Sequence, residues 1–286
     1  MRCYSAEILE QQRRRARVHG DDVNFFRGPR LHCGSFSAVS VLVAFCVGAL
    51  WAGPAAAYRP FNGTDAAVAD PNEVEIEFQP VGVLAQDSDK SLVGPWAVLN
   101  IGFENRWEAV FEGKGIIPVS PGGAFEIADP GISLKHVLVP GSLQDQTGPS
   151  IATEFGVLLP EVNGEQGVGA TLQGIVSQRW DWGTIHFNVA ASLTREHNGD
   201  LFTGLIIEGP SKWIVRPVAE IFYEDEANQA HTISGLIGAI WQVNDKLSFD
   251  IGFRHALTNG HPVEEIRVGT TFGFPLKPMA AARQRN

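Results

Sequence analysis

The residues able to do chemistry are sparse in this chain and badly spaced for catalysis. His186, His197, His231, His255 and His261 occur singly, without a second ligand at the spacing a metal site uses. His255 is followed by Thr258 and His231 by Ser234. Three residues along a strand put the two side chains on opposite faces, so neither pair forms a nucleophile and its base. The glycines at 113 and 115 and at 122–123 precede no Lys-Ser/Thr and no helix, which removes a phosphate loop. Cys3, Cys33 and Cys46 are the only cysteines, all within the first 57 residues. Glu224-Asp225-Glu226 could hold a divalent cation or bridge lipopolysaccharide through one, but reads as a solvated loop. No catalytic residue, cofactor or metal is expected.

A pattern of charges remains. Glu75, Glu77, Glu104, Arg106, Glu108 and Glu154, then Arg216, Glu220, Asp250, Arg254 and Arg267, stand between apolar residues at every second position. Period two is the signature of a strand with two chemically distinct faces. Val74, Ile76 and Phe78 alternate with Glu75, Glu77 and Gln79; Leu247, Phe249, Ile251 and Phe253 alternate with Asp250 and Arg254. Counting weaker segments near 131–139, 167–178, 200–208 and 212–223 predicts about twelve strands of about 8 to 12 residues, with no amphipathic helix. Strands of ~9 to 11 residues suit a tilted membrane crossing, whereas strands of soluble domains average ~5 to 6.

The first 57 residues have another character. Arg13, Arg14, Arg15, Arg17, Arg27 and Arg30 precede Phe36 to Trp51, an uncharged run, and then Ala55, Ala56 and Ala57. A basic stretch, an apolar run and a small-residue site predict a secretory signal peptide, cut between Ala57 and Tyr58. The apolar run is shorter than the ~20 residues a membrane-spanning helix needs. Of 22 basic and 32 acidic residues the leader takes 7 and 4, leaving a charge of −13 on the remainder. A nucleic-acid partner is therefore not expected, because phosphate binding requires a basic face.

The expected fold is all-β, a single antiparallel up-and-down transmembrane β-barrel over 73–274, with a periplasmic N-terminal segment at 58–72 and a tail at 275–286. Tight turns at Glu104-Asn105, around Asp181, at Gly209 to Lys212 and at Val243 to Lys246 alternate with longer connections. The longer ones include Val81 to Pro95, Lys114 to Pro130 and Pro160 to Gln166, while Pro140 to Pro149 is too long for its place in the alternation. Trp96, Trp107, Trp180, Trp182, Trp213 and Trp241 lie near strand ends, where indole rings favour a membrane–water interface. The last strand closes on Val268 to Phe274, an alternating aromatic terminus of the kind the barrel assembly machinery reads.

Arg59-Pro60-Phe61, the Thr64-Asp65 segment, Asn100 to Glu108, Asp129 to Lys135, Thr153 to Pro160, Trp182-Gly183 with Asn188, and Val268 to Phe274 resemble the phenol meta-pathway degradation family. The resemblance covers most of residues 58–274. It implies an outer-membrane barrel that passes or binds hydrophobic or aromatic small molecules.

The function expected is that of an outer-membrane channel or uptake protein of a Gram-negative cell, with the alternating charges facing the lumen. Its surroundings would be outer-membrane lipid and lipopolysaccharide. Twelve strands enclose far less space than sixteen, so the lumen should be narrow or plugged. The alternatives are a structural or surface-binding barrel that transports nothing, a barrel lipase, and a soluble periplasmic β-domain.

Overall fold

A computed structural model describes residues 58–276 except 105 and 120–122. The leader, Ala57 at its cleavage site, the cysteines and the tail beyond 276 lie outside the described residues. Twelve strands run in chain order: β1 (Glu73–Gln86), β2 (Asp89–Glu104), β3 (Trp107–Pro118), β4 (Glu126–Val139), β5 (Ser150–Leu158), β6 (Gly169–Trp180), β7 (Gly183–Leu193), β8 (Gly199–Glu208), β9 (Val215–Glu226), β10 (Ala230–Asn244), β11 (Leu247–Thr258) and β12 (His261–Pro275). Each pairs antiparallel with its sequence neighbours, and β1 pairs with β12 from Glu73↔Pro275 to Gln86↔Val263, which closes the barrel. Closure leaves no strand edge with unpaired backbone groups.

The two faces are inverted relative to a soluble protein. Outward positions carry exposed apolar side chains around the whole circumference, among them Val83 and Phe111, Leu172 and Phe187, Leu205 and Ile221, Ile237, Ile251 and Ile266. Inward positions on the same strands are buried and largely polar, as with Glu75, Gln79, Asn100, Gln173, Asn188, Glu220 and Arg254. Burying a charge costs far more than burying a methyl group, so this sequence would not place its carboxylates inside and its isoleucines outside in water. Trp107, Trp180, Trp182, Trp213 and Trp241 all sit at the barrel end that carries the tight turns and both strand termini. Trp180 and Trp182 stack there with ring centroids 5.4 Å apart. Trp96 departs from the expected girdle; it points inward and is 7% exposed.

Two expected loops are strand, as is the Glu224-Asp225-Glu226 start of a third, where Glu224 and Glu226 are buried on the inner face. Val81 to Pro95 forms the upper half of the β1–β2 hairpin, which turns only at residues 87–88, with Asp87 at φ 52°. Pro80 and Pro95 read as strand breakers, yet they face each other at a bulge where the register passes from Gln79↔Trp96 to Gly82↔Val93. A proline at a bulge owes the ladder no N–H, so the strands continue through it. Likewise β3 extends to Pro118 and β4 begins at Glu126, and the ladder steps from Glu112↔Gly131 to Lys114↔Ala128 around Asp129-Pro130. The strands are accordingly longer than expected, reaching 16 residues in β2.

The long connection 140–149 holds a short 3-10 turn, Ser142–Gln144. Leu143 packs against Ala66, Ala152 and Ile175 inside the barrel, and Gln144 Nε2 donates to the Ala66 carbonyl at 2.9 Å. Its length is what it takes to fold back into the lumen.

Candidate functional site

The chain's own residues 58–72 occupy part of the lumen. The expectation of a periplasmic segment is corrected here: the segment runs around the inner wall before it enters β1. Arg59 Nη2 donates to Gln79 Oε1 at 2.6 Å, and its guanidinium lies 3.4 Å from Asp250 and 5.1 Å from the centre of the Trp96 ring. Phe61 and Tyr58 pack with Ile206, Val218, Leu236 and Ile240. Thr64 N–H then donates to Asn188, Ala66 N–H to Ser177 Oγ, and Ala69 N–H to Glu108. The segment has no strand or helix period for a sequence pattern to detect. Its polar groups are stable inside because this interior is the polar side of the wall.

Glu220 on β9 is the strongest single anchor. Its carboxylate accepts from Asn62 N–H at 2.9 Å, Gly63 N–H at 2.7 Å and Asn62 Nδ2 at 3.0 Å. Arg267 on β12 holds the same turn from the other side, donating to the Pro60 carbonyl at 2.7 Å and to Asn62 Oδ1 at 2.8 Å. Glu265 bridges Arg254 and Arg267 at 2.9 and 2.8 Å, so three of the alternating charges on β11 and β12 form one buried cluster. Such pairs are retained only where each partner is hydrogen-bonded.

Between this plug and the end carrying the termini lies a cavity of about 880 Å³. The sequence-predicted residues divide around it. Glu75, Glu77, Glu108, Glu154 and Arg216 line it, and Arg106, in the β2–β3 turn at φ 75°, lines its mouth. Glu220, Asp250, Arg254 and Arg267 face inward beside the plug. Glu104 is exposed at the end of β2 and does not line the cavity. Lys135, Asp65 and Asn100 were missed. Lys135 on β4 reaches Asp65 at 3.3 Å and Thr64 Oγ1 at 3.2 Å. Its position two residues after Ser133 on an alternating segment was the available signal.

One constellation has the composition of a hydrolytic triad. Cross-strand pairing sets Ser177 opposite His186, with Ser177 Oγ 2.8 Å from His186 Nδ1, and Glu208 lies 3.2 Å from the other ring nitrogen. Sequence spacing could not show this, since the partners come from β6, β7 and β8. Ser177 is fully buried and its Oγ already accepts Ala66 N–H at 2.9 Å. A nucleophile needs open space before it for a reacting carbon. This one is covered by the plug and serves to hold it. The spacing objection to the other pairs also shows in three dimensions: His255 faces outward, while Thr258 faces inward and bonds Thr232 at 2.9 Å.

No family model matches the chain, and no curated protein matches it. Among solved structures it is similar to the COG4313 outer membrane channel from Pseudomonas putida F1, at 8% identity and a TM-score of 0.57, over 73% of this chain and 97% of that one. It is also similar to the NanC porin, at 7% identity and a TM-score of 0.50, over 70% of this chain and 98% of that one. At these identities the likeness is one of fold: the chain shares the closed antiparallel β-barrel.

Proposed function

We propose that the protein is an outer-membrane channel of a Gram-negative cell, held closed by residues 58–72 and admitting small solutes when that segment shifts. The observation that carries this is the inverted barrel: an apolar outer wall, a charged inner wall and a large cavity inside it. Strands of 9 to 16 residues are long enough for a tilted crossing of a ~25 Å apolar band. The leader ending at Ala57 would deliver the chain to the periplasm, the aromatic end of β12 would engage the barrel assembly machinery, and lipid with lipopolysaccharide would cover the outside. The likeness in fold to outer-membrane channels fits this reading.

The resemblance to the phenol meta-pathway degradation family points to hydrophobic or aromatic solutes. The lining argues for polar ones instead, because Tyr58 is the single phenyl-type ring around the cavity while carboxylates and arginines crowd it. The test begins with cell fractionation and gel electrophoresis with and without boiling. A closed barrel has no frayed edge for detergent to open, so it migrates faster until heated. Planar-bilayer recordings follow, with small conductance steps expected. Recovery from an osmotic-shock extract without a mobility shift would overturn the reading.

A further inference from the structure

We propose that the cavity wall formed by Glu75 and Glu77 of β1 and Glu108 of β3 binds a small organic cation, a molecule carrying ammonium or guanidinium groups; this rests on the channel reading and names its solute class. The three carboxylates line one cavity. Residues i and i+2 of a strand share a face about 7 Å apart, so Glu75 and Glu77 present two carboxyl groups at the separation of a short diammonium chain.

Glu108 already accepts Ala69 N–H at 2.6 Å, but Glu75 and Glu77 are not engaged by the plug. Glu75 is 6% exposed and has no hydrogen-bond or ion-pair partner among the described residues. Glu77 is 3% exposed; one oxygen accepts from Asn100 at 3.2 Å and Oε2 has no partner. Two cations lie near this wall and both are committed elsewhere, Lys135 to Asp65 and Thr64 and Arg59 to Asp250 and Gln79. Several other buried carboxylates of the lumen are matched, Glu220 by plug donors, Glu265 by two arginines, Glu73 by Lys246 at 3.3 Å. An unmatched buried carboxylate is costly, and the cost is relieved by a proton or by a cation that completes it.

The lumen shows how it would hold such a group. The Arg59 guanidinium, brought in by the plug, lies over the Trp96 ring with Asp250 beside it, a carboxylate and an aromatic face around one organic cation. A bare metal ion fits less well, since no three described His, Cys, Asp or Glu side chains converge in the manner of a metal site. The cavity also has the size of a small-molecule site.

Calorimetric titration of the detergent-purified barrel with putrescine tests this. Binding is expected, weakening as salt is raised, and falling about tenfold or more in a Glu75→Gln/Glu77→Gln variant; 1,4-butanediol, of similar length without charge, should not bind. The retained mobility shift on boiling reports folding. If the double variant does not fold, Glu75→Gln alone, which removes no contact, should still weaken binding severalfold. No heat with putrescine, equal affinity in a folded variant, or equal binding of the diol each overturns the proposal. Conductance in potassium chloride without amine tests the channel itself, so the two ideas fail separately.

Discussion

Removal of the Glu220 carboxylate should unseat the plug while leaving the barrel intact. The side chain accepts from two backbone N–H groups and one amide, at 2.7 to 3.1 Å, and is 4% exposed. Glu220→Ala leaves the Asn62 and Gly63 N–H groups buried without an acceptor, at about 1 to 3 kcal/mol each. Water entering the vacated space returns part of that, so about 3 kcal/mol is the working figure, equivalent to on the order of a hundredfold in the displaced fraction. Glu220→Gln keeps one acceptor oxygen but turns an NH₂ toward donors, and should cost about half as much. Ala66 is fully buried in the plug and small enough to become cysteine, and the chain beyond residue 57 contains no other thiol. The rate at which a membrane-impermeant maleimide labels Ala66→Cys reports the displaced population. The expected order is parent slowest, Glu220→Gln intermediate, Glu220→Ala fastest by ten- to a hundredfold, with open time in bilayers rising in the same order. Equal labelling rates in barrels that still shift on boiling would refute the assignment of Glu220 as anchor.

Arg267→Met removes donors to Pro60, Asn62 and Glu265 together, and breaking a buried charged cluster in this way should destabilise by about 3 to 5 kcal/mol, read as a lower temperature for loss of the mobility shift. Ile251→Arg places a charge on the lipid face near the middle of β11 and should cost about 2 to 4 kcal/mol of folding into bilayers; an unchanged unfolding curve in urea would count against membrane burial of that face. In the connection 159–168, burial, reinforced by Glu161, raises the Glu165 carboxyl from 4.5 to about 7. The docked loop thus favours the protonated form: its stability is full below pH 4.5, declines as pH rises through the interval to about 7, and stays at its lower value above. Hydrogen exchange of 159–168 should accordingly be faster at about pH 8 than at about pH 5 once corrected for intrinsic rates, and the opposite trend would be decisive against it.

The alternation of Val74, Ile76 and Phe78 with Glu75 and Glu77 was enough to read a strand, its parity and its inward charges. The rule runs unbroken there from Glu73 to Gln79, where odd positions are buried. The bulges at Pro80 and Pro95 were not readable, since a proline's tolerance depends on what faces it across the ladder, and that partner lies fifteen residues away. Trp96 departs for a different reason: it shares the parity of Val98 and Asn100 with no bulge between them, which already turns the indole into the lumen, and nearness to a strand end does not override that parity. Ser177, His186 and Glu208 meet only through register between three strands, a relation a single chain's pattern does not encode.

The plug was the largest omission, and its physics links the two proposals. A sequence that places carboxylates on the inside of a narrow barrel must supply cations or donors to meet them, and β-strand alternation alone supplies mostly more carboxylates on β1 to β3. Residues 58–72 meet part of that demand, with Arg59 answering Asp250 and backbone N–H groups answering Glu220 and Glu108. They donate nothing to Glu75 and leave Glu77 Oε2 without a partner, both beside open space. A plug that satisfied every carboxylate would gain nothing from a solute. One that leaves a deficit of positive charge beside its own hinge into β1 gives an entering cation something to bind before the segment moves. On that logic, putrescine should raise the maleimide labelling rate of Ala66→Cys if its binding competes with the seated plug and lower it if it completes the seated lumen. With carboxylates shared through Glu108, which holds Ala69 N–H at 2.6 Å, the first outcome is expected.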